Sequence, residues 1–232
     1  QVQLASGTLV GVEALARWRS PLFGVVPPAE FIPPAEGSPF IKPITFQVLA
    51  MALDQARRWL DEGRRIPVSV NISVRLFDDE ELIERVGAEL RARDLDPELL
   101  TLEITETALI ASPGRMRDII RRLRQAGVGI SIDDFGTGYT SLGHLKDLPI
   151  DRLKIDRSFV KDLPGDRGSA AIARAIVQMA QSLGLKTLAE GVETAAQHAW
   201  VRTQGCDEVQ GDLVAPPMTA AAMEAWLAAR AA

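Results

Sequence analysis

The chain alternates short runs rich in β-branched residues with longer stretches whose apolar positions recur at helical spacing. This alternation is typical of a parallel sheet whose strands are connected by helices. Seven runs are predicted to be strands: Thr8 to Ala14, Pro67 to Ser73, Leu100 to Thr105, Val128 to Asp133, Arg152 to Asp156, Lys186 to Glu190 and Glu208 to Gly211. Val2 to Leu4 is expected to add an eighth strand, joined to the next by a hairpin turn at Ser6 and Gly7.

Six amphipathic stretches are predicted to be helices: Ile44 to Leu60, Asp79 to Arg93, Arg115 to Gln125, Ser169 to Leu183, Ala195 to Gln204 and Ala220 to Arg230. Eight strands and their helices in 232 residues predict an α/β fold, a TIM-like (β/α)₈ barrel with the first strand antiparallel to the rest. An open doubly wound sheet is the alternative, but no glycine-rich dinucleotide turn follows the first strand.

We expect residues 1–232 to form a single domain whose N-terminal strand is truncated and which belongs to a longer parent protein. The segment from Ser20 to Pro43 contains seven prolines, which is too many for a regular element. We therefore expect an irregular surface excursion there rather than a domain boundary.

Polar residues occupy one face of the predicted strands. In the run from Pro67 to Ser73, the apolar residues Val68, Val70 and Ile72 share one parity, which leaves Ser69 and Asn71 on the other face. In a barrel the apolar face packs against the helices, and the carboxyl ends of all strands converge at one end. The same parity predicts a single site there, formed by Glu13, Asn71, Glu103, Asp133, Lys154, Glu190 and Gln210, with Asp134 at the adjoining turn.

The overall charge limits the possible partners. The chain has 26 Lys and Arg against 31 Asp and Glu, a net charge of −5, which argues against nonspecific DNA binding. It contains no apolar run long enough to insert into a membrane and no signal-peptide pattern. With the lone Cys206, this predicts a cytoplasmic domain, although the parent protein is free to be membrane-anchored and to carry a regulatory or sensory domain.

Carboxylates that converge in a small volume need cations, because otherwise they take up protons. An oxygen-only set of Asp, Glu and Asn suits Mg²⁺ or Mn²⁺ rather than zinc or copper. The adjacent Asp133 and Asp134 indicate two ions, a pair that generates hydroxide and stabilises the leaving oxygen in phosphate-ester hydrolysis. The residues therefore predict metal-dependent phosphodiester cleavage.

Several motifs resemble those of the EAL family of cyclic di-GMP phosphodiesterases, in the order that the family shows. They are Glu13-Ala14-Leu15-Ala16-Arg17-Trp18, Pro28-Ala29-Glu30-Phe31-Ile32-Pro33, Asn71-Ile72-Ser73, Glu103-Ile104-Thr105-Glu106, Asp133-Asp134-Phe135-Gly136, Lys154-Ile155-Asp156, Ala189-Glu190-Gly191-Val192-Glu193 and Gln210-Gly211. The resemblance runs along nearly the whole chain. After Gln210-Gly211, however, Asp212 stands where the family commonly has an aromatic residue, and Pro216 replaces a commonly basic or polar one.

The resemblance implies hydrolysis of cyclic di-GMP to linear 5′-pGpG with two Mg²⁺ or Mn²⁺ ions. It places the first ion on Glu13, Asn71, Glu103 and Asp133, and the second on Asp133, Asp134 and Glu190. Lys154 would hydrogen-bond the attacking water, and either Lys154 or Glu190 would serve as the base. Substrate contacts would come from Leu15, Arg17, Asp156, Glu193 and Gln210.

Glu106 has the opposite strand parity from Glu103. The resemblance implies that Glu106 braces the loop from Phe135 to Leu142, which would also contact the partner in a homodimer. Two other functions stay open. Members of the family also act as catalytically inactive cyclic di-GMP receptors, and a metal-dependent barrel is also compatible with another phosphodiester or with an enolisable acid.

Overall fold

A computed structural model describes residues 1–78, 81–107, 109, 113–138 and 145–231. The strands are β1 (Val2–Gln3), β2 (Val12–Ala14), β3 (Trp18–Ser20), β4 (Gly24–Val26), β5 (Val68–Asn71), β6 (Leu100–Thr105), β7 (Gly129–Phe135), β8 (Arg152–Ile155), β9 (Lys186–Ala189) and β10 (Glu208–Val209). The helices are α1 (Pro28–Glu36), α2 (Ile41–Asp61), α3 (Glu81–Ala92), α4 (Pro113–Gln125), α5 (Arg157–Val160), α6 (Arg167–Leu183), α7 (Ala195–Thr203) and α8 (Ala220–Ala231). Asp79, where we expected a helix to begin, and residues 139–142 of the predicted loop lie outside the described residues.

Eight of these strands form one curled sheet, in the order β1-β10-β9-β8-β7-β6-β5-β2. Its pairs are parallel except for β1 and β10, which are antiparallel. Between the two edge strands, Val2 of β1 forms an antiparallel bridge with Leu9, and the Val10 amide donates to the Gln1 carbonyl at 3.0 Å. The predicted TIM-like architecture with an antiparallel first strand is confirmed.

The helices cover the outer face of the sheet with apolar stripes. In α2, Phe46, Leu49, Leu53 and Ala56 recur at helical spacing and are all buried, and this helix packs against β5. Burial of each larger side chain contributes roughly 1.5–3 kcal/mol to the free energy of unfolding. This outer layer holds the strands in register and leaves their other face to polar residues.

The inner face of the sheet carries two polar layers, as the strand parity predicted. The lower layer includes the buried residues Ser69, Ser131 and Glu208, and the Arg152 guanidinium pairs with the Glu208 carboxylate at 2.8 Å. Two residues further along their strands, Asn71, Asp133 and Lys154 form the upper layer, at the carboxyl ends.

The expectation that residues 20–43 are irregular is wrong. The strands β3 and β4 form an antiparallel hairpin, and α1 and the start of α2 follow. Pro28 is the first residue of α1, where a proline is favoured because its missing N–H has no partner within the helix. Pro33 and Pro34 lie inside α1, which ends at Glu36, soon after them.

Several predicted strands are shorter than expected. Residues 8–10 were assigned to the second strand, but Thr8 accepts a hydrogen bond from Gln3 and Leu9 bridges Val2, so they belong to the turn that follows β1. The last strand ends at Val209 rather than Gly211. No helix in the described part of the chain has the length and apolar character needed to cross a membrane.

Candidate metal centre

The carboxyl ends of the parallel strands bring the predicted polar residues to one end of the sheet. Glu13 lies in β2, Asn71 ends β5, and Glu103 lies beside Asn71 in the pairing of β5 with β6. The remaining positions are supplied by the next strands around the sheet: Asp133 and Asp134 in β7, Lys154 in β8, Glu190 directly after β9 and Gln210 directly after β10.

Two acidic clusters share one residue. Carboxylate oxygens of Glu13, Glu103 and Asp133 lie within 4.8 Å of one another, and so do those of Asp133, Asp134 and Glu190. Asn71 joins the first cluster because its Nδ2 donates to Glu13 Oε1 at 2.8 Å. Asp133 therefore has the position of a bridging ligand between two cation sites.

Lys154 is completely buried among these carboxylates. Its Nζ lies 2.7 Å from Glu103 Oε2, 2.8 Å from Glu190 Oε1, 3.0 Å from Asp133 Oδ1 and 3.5 Å from Glu13 Oε2. Burial alone would lower the pKa of Lys154, but these carboxylates, Glu103 foremost, outweigh burial and raise the pKa well above its ordinary range. The residue is therefore an ammonium at any physiological pH.

One ammonium does not neutralise the carboxylates around it. Burial raises the pKa of Glu103 to about 7 and that of Glu190 to about 8, although Lys154 acts in the opposite direction. Burial, together with the charges of Asp133 and Asp156, raises the pKa of Asp134 to about 6. Glu13 differs, because Lys154 and the hydrogen bonds from Gln210 and Asn71 outweigh its burial and lower its pKa.

The residues fit a pair of hard divalent cations. All the donor atoms in the two clusters are oxygens, which Mg²⁺, Mn²⁺ and Ca²⁺ prefer. Glu103 Oε1 is buried and has no hydrogen-bond partner, although an unpaired buried carboxylate oxygen is costly. A cation on this atom would satisfy it and would displace the protons that the raised pKa values retain.

Raising the pH should destabilise the metal-free protein. The pKa values of Glu103, Glu190 and Asp134 are raised above their values in the unfolded chain, so the folded state binds more protons than the unfolded state from about pH 4 to about pH 8. The stability that these groups contribute is fully present below pH 4 and is lost as the pH rises through 8. We expect the melting temperature with EDTA to fall between pH 5 and pH 8. Added Mg²⁺ should restore it, most strongly at pH 8; a melting temperature insensitive to Mg²⁺ at pH 8 would contradict this.

An irregularity in the pairing of β7 with β8 lets both Asp133 and Asp134 face the metal centre. The register of β7 against β8 shifts between Ile132 and Phe135, and Asp134 adopts a positive φ of 54°. A positive φ is uncommon for a residue other than glycine and is found at functional sites more often than elsewhere. Because of this bulge, neighbouring residues, which normally point to opposite faces, both contribute oxygens to the second cluster.

Glu106 lies outside both clusters and contacts the loop after β7. One of its carboxylate oxygens accepts hydrogen bonds from the Gly136 amide at 2.7 Å and from the Gly138 amide at 3.1 Å. These contacts fix the backbone that directly follows Asp133 and Asp134.

The residues proposed to contact substrate surround the centre. Gln210 Nε2 donates to Glu13 Oε2 at 2.6 Å, and Asp156 caps α5 by accepting a hydrogen bond from the Ser158 amide at 3.0 Å. Glu193 is exposed. Leu15 and Arg17 are also exposed, and the Arg17 guanidinium donates to the Ala16 carbonyl at 2.8 Å rather than reaching either cluster.

A cavity of about 720 Å³ opens over the centre and is large enough for a sizeable ligand. Glu13, Asp133 and Glu190 line its floor, and Glu193 and Gln210 line its wall. Asp212 and Pro216, the two positions that depart from the EAL pattern, also line it. The sequence pattern did not assign Arg157 and Lys161 to the site, but both lie on the same cavity.

Gly211 is a positioning residue that the strand pattern did not reveal. A Cβ atom on Gly211 would lie 2.3 Å from the Val192 nitrogen and 2.4 Å from the Val192 oxygen. The neighbouring hydrogen bonds run from the Val192 amide to the Gln210 carbonyl and from the Gln210 amide to the Ala189 carbonyl. Gly211 thus lets the segment carrying Gln210 pack directly against the segment carrying Glu190.

Replacing Gly211 with alanine should separate these two segments. We expect a loss of about 1–3 kcal/mol in the free energy of unfolding, together with weaker metal binding, because Glu190 and Gln210 are displaced. Chemical denaturation and calorimetric titration with Mn²⁺ measure the two effects. Gly114→Ala is the matched control, since its added methyl group meets no atom within 4 Å. Equal behaviour of the two variants would show that the contact with Val192 is unimportant.

Comparison with known proteins agrees with this geometry. A family model described as the EAL domain matches residues 1–217. MucR of Pseudomonas aeruginosa, a bifunctional diguanylate cyclase and cyclic di-GMP phosphodiesterase, is 43% identical over 221 residues, which cover 95% of this chain. The cyclic di-GMP phosphodiesterase PdeR of Escherichia coli is 39% identical over 220 residues, also 95% of this chain.

A solved structure of the MucR phosphodiesterase in complex with cyclic di-GMP superposes with a TM-score of 0.92 at 43% identity, covering 96% of this chain and 90% of that one. The matched regions account for only 32% of full-length MucR and 33% of PdeR. This chain therefore spans about a third of the length of these curated relatives, which are larger proteins.

Proposed function

The chain belongs to the EAL domain family, and on that basis we propose that it hydrolyses cyclic di-GMP to linear 5′-pGpG. Water would add to one phosphorus atom and the bond to the 3′ oxygen would break, leaving a 5′-phosphate and a free 3′-hydroxyl. The observation that carries this proposal is the sharing of Asp133 between two acidic clusters at the floor of the cavity. Two cations bridged by one carboxylate suit displacement at a phosphate ester.

We propose that Glu13, Asn71, Glu103 and Asp133 hold the first ion and that Asp133, Asp134 and Glu190 hold the second. Mg²⁺ or Mn²⁺ is the preferred occupant, because the donors are oxygens and the site keeps room for substrate and water. When bound, such a pair supplies a nucleophile at neutral pH and stabilises the leaving oxygen.

Lys154 and Glu190 divide the proton chemistry in this proposal. Lys154 is buried among the carboxylates, with its Nζ 3.0 Å from Asp133 Oδ1 and 2.8 Å from Glu190 Oε1, so its ammonium could donate a hydrogen bond to an attacking oxygen held there. Glu190 lines the cavity in which the substrate would bind, so its carboxylate could accept the proton of the attacking water. We therefore assign orientation of the nucleophile to Lys154 and proton acceptance to Glu190.

Leu15, Arg17, Asp156, Glu193 and Gln210 are proposed to bind the substrate around this centre. Arg17 is exposed, and its planar guanidinium suits a phosphate. A homodimer, a cytoplasmic location and regulatory or sensory domains in a longer parent protein stay predictions, as does the treatment of residues 1–232 as one domain.

A catalytically inactive receptor is the alternative, and the site does not favour it. Each acidic position required by the two clusters is occupied by Asp or Glu. To test the proposal, the purified protein is incubated with cyclic di-GMP and Mg²⁺ or Mn²⁺, and the nucleotides are separated. We expect metal-dependent formation of pGpG that EDTA abolishes. Tight binding without product would instead identify a receptor.

A further inference from the structure

The substrate carries two phosphates, and only the one that is cleaved would contact the proposed ions directly. The five carboxylates of the two clusters and Lys154 together carry four negative charges, which two divalent ions would neutralise. A loaded centre would therefore have no net positive charge to offset the phosphate that is not cleaved. Any cation for that phosphate has to come from the wall of the cavity.

Arg157 and Lys161 are the basic residues on that wall. They line the same cavity as Asp133 and Glu190, and both are exposed. Neither side chain forms an ion pair or a hydrogen bond with any residue that the structure describes. They are four residues apart in one helical turn, with the Lys161 amide donating to the Arg157 carbonyl at 2.9 Å, so their side chains leave the backbone on the same side.

Close packing fixes Arg157 beside the metal ligands. A Cβ atom on Gly191 would lie 2.8 Å from the Cβ of Arg157, so Gly191 packs against Arg157 with no room for a side chain of its own. Gly191 directly follows Glu190 of the second cluster, and Arg157 lines the cavity that Glu190 also lines. Arg157 is therefore held next to the segment that carries Glu190.

Arg17 lies on a different wall. It lines a neighbouring apolar cavity together with Trp18 and Phe31, and it does not line the cavity over the centre. The two cavities adjoin at Ala14 and Leu15, which line both. Arg17 and Arg157 therefore line adjoining cavities and can engage different phosphates.

We propose that Arg157, assisted by Lys161, binds the phosphate of cyclic di-GMP that is not cleaved. This inference rests on the proposed function and adds to it a residue that selects a dinucleotide over a simple phosphodiester. The Arg157 guanidinium can donate a bidentate pair of charge-assisted hydrogen bonds to the phosphate oxygens, and Lys161 adds a second positive charge. The contact acts on substrate binding rather than on bond cleavage.

Steady-state kinetics of Arg157→Ala with two substrates test this inference. For cyclic di-GMP, we expect KM to rise about tenfold, because one charged contact is lost, with kcat changed by less than about twofold. For bis(p-nitrophenyl) phosphate, which has one phosphate, kcat/KM should not change. Arg157→Lys should recover part of the loss, and Lys161→Ala should raise KM for cyclic di-GMP by a smaller factor.

Arg202→Ala is the matched control, because Arg202 is an exposed arginine in α7 that does not line the cavity. Its KM for both substrates should equal that of the unchanged protein. An unchanged KM for cyclic di-GMP in Arg157→Ala would overturn the inference. An equal loss with both substrates would also overturn it, since that result would place Arg157 in the metal chemistry.

A failure of the proposed function is distinguishable from a failure of this inference. If the unchanged protein binds cyclic di-GMP in calorimetry but releases no pGpG, hydrolysis is wrong. A tenfold larger dissociation constant for cyclic di-GMP in Arg157→Ala would then still support the phosphate contact. A dissociation constant equal to that of the unchanged protein would overturn it. If the unchanged protein does not bind cyclic di-GMP, both are overturned.

Discussion

Replacing Asp133 with asparagine should lower kcat for cyclic di-GMP by about a thousandfold or more. Asp133 contributes to both acidic clusters, and asparagine offers one neutral oxygen in place of a charged carboxylate with two, so the change weakens both proposed ion sites at once. Metal stabilisation of the transition state contributes several kcal/mol, and each 1.4 kcal/mol is a factor of about ten in rate. Quantifying pGpG over long incubations measures the residual rate, and calorimetric titration with Mn²⁺ measures the loss of metal binding.

Two further variants make the Asp133 result specific. Asp134 belongs only to the second cluster, so Asp134→Asn should reduce the bound Mn²⁺ from two ions to one. Asp118→Asn removes a carboxylate from the exposed face of α4, where it pairs with Arg121, and should leave turnover unchanged. If Asp133→Asn retained more than about a tenth of the activity, the bridging role would be wrong.

Replacing Lys154 with alanine should lower kcat by about a hundredfold to ten-thousandfold, the range expected for loss of a positioned proton donor or acceptor. The same change should not abolish metal binding. The ammonium lies within 3.0 Å of Glu103, Asp133 and Glu190, so it occupies oxygens that a cation would use. We expect Mn²⁺ to bind at least as tightly after its removal, since a neighbouring positive charge is lost.

The control for Lys154→Ala is Lys186→Ala, which removes a mostly exposed ammonium 3.7 Å from Glu208, in the lower polar layer. Activity should be unchanged in that variant. Loss of both turnover and metal binding in Lys154→Ala, with the fold intact by circular dichroism, would mean that Lys154 organises the ligands rather than the nucleophile.

The strand parity could assign residues of different strands to one candidate site, because it depends on a strict rule. Residues two apart on a strand share a face, and parallel strands end at the same edge. Asn71, Glu103 and Lys154 could therefore be assigned to one layer without any knowledge of the packing, and the structure brings them within hydrogen-bonding distance of one another or of Glu13. The same alternation predicted the eight strands of the main sheet and six of the helices in their observed order, but it missed β3, β4, α1 and α5.

Other features depend on the packing of distant segments, which local patterns do not describe. The bulge that turns Asp134 inward arises from the pairing of β7 with β8. The contacts of Gly211 with Val192 and of Gly191 with Arg157 each join the ends of different βα units. The prediction missed the helix α1 because the many prolines between Ser20 and Pro43 were taken to exclude a regular element. Pro28 is nevertheless well placed to begin a helix.

Anomalous diffraction from crystals grown with Mn²⁺ would show whether the centre holds two cations, because it locates the ions independently of catalysis. We expect two peaks roughly 3.5–4 Å apart, with Asp133 between them, Glu13 and Glu103 on one side and Asp134 and Glu190 on the other. A single peak, or two peaks that do not share Asp133, would contradict this expectation.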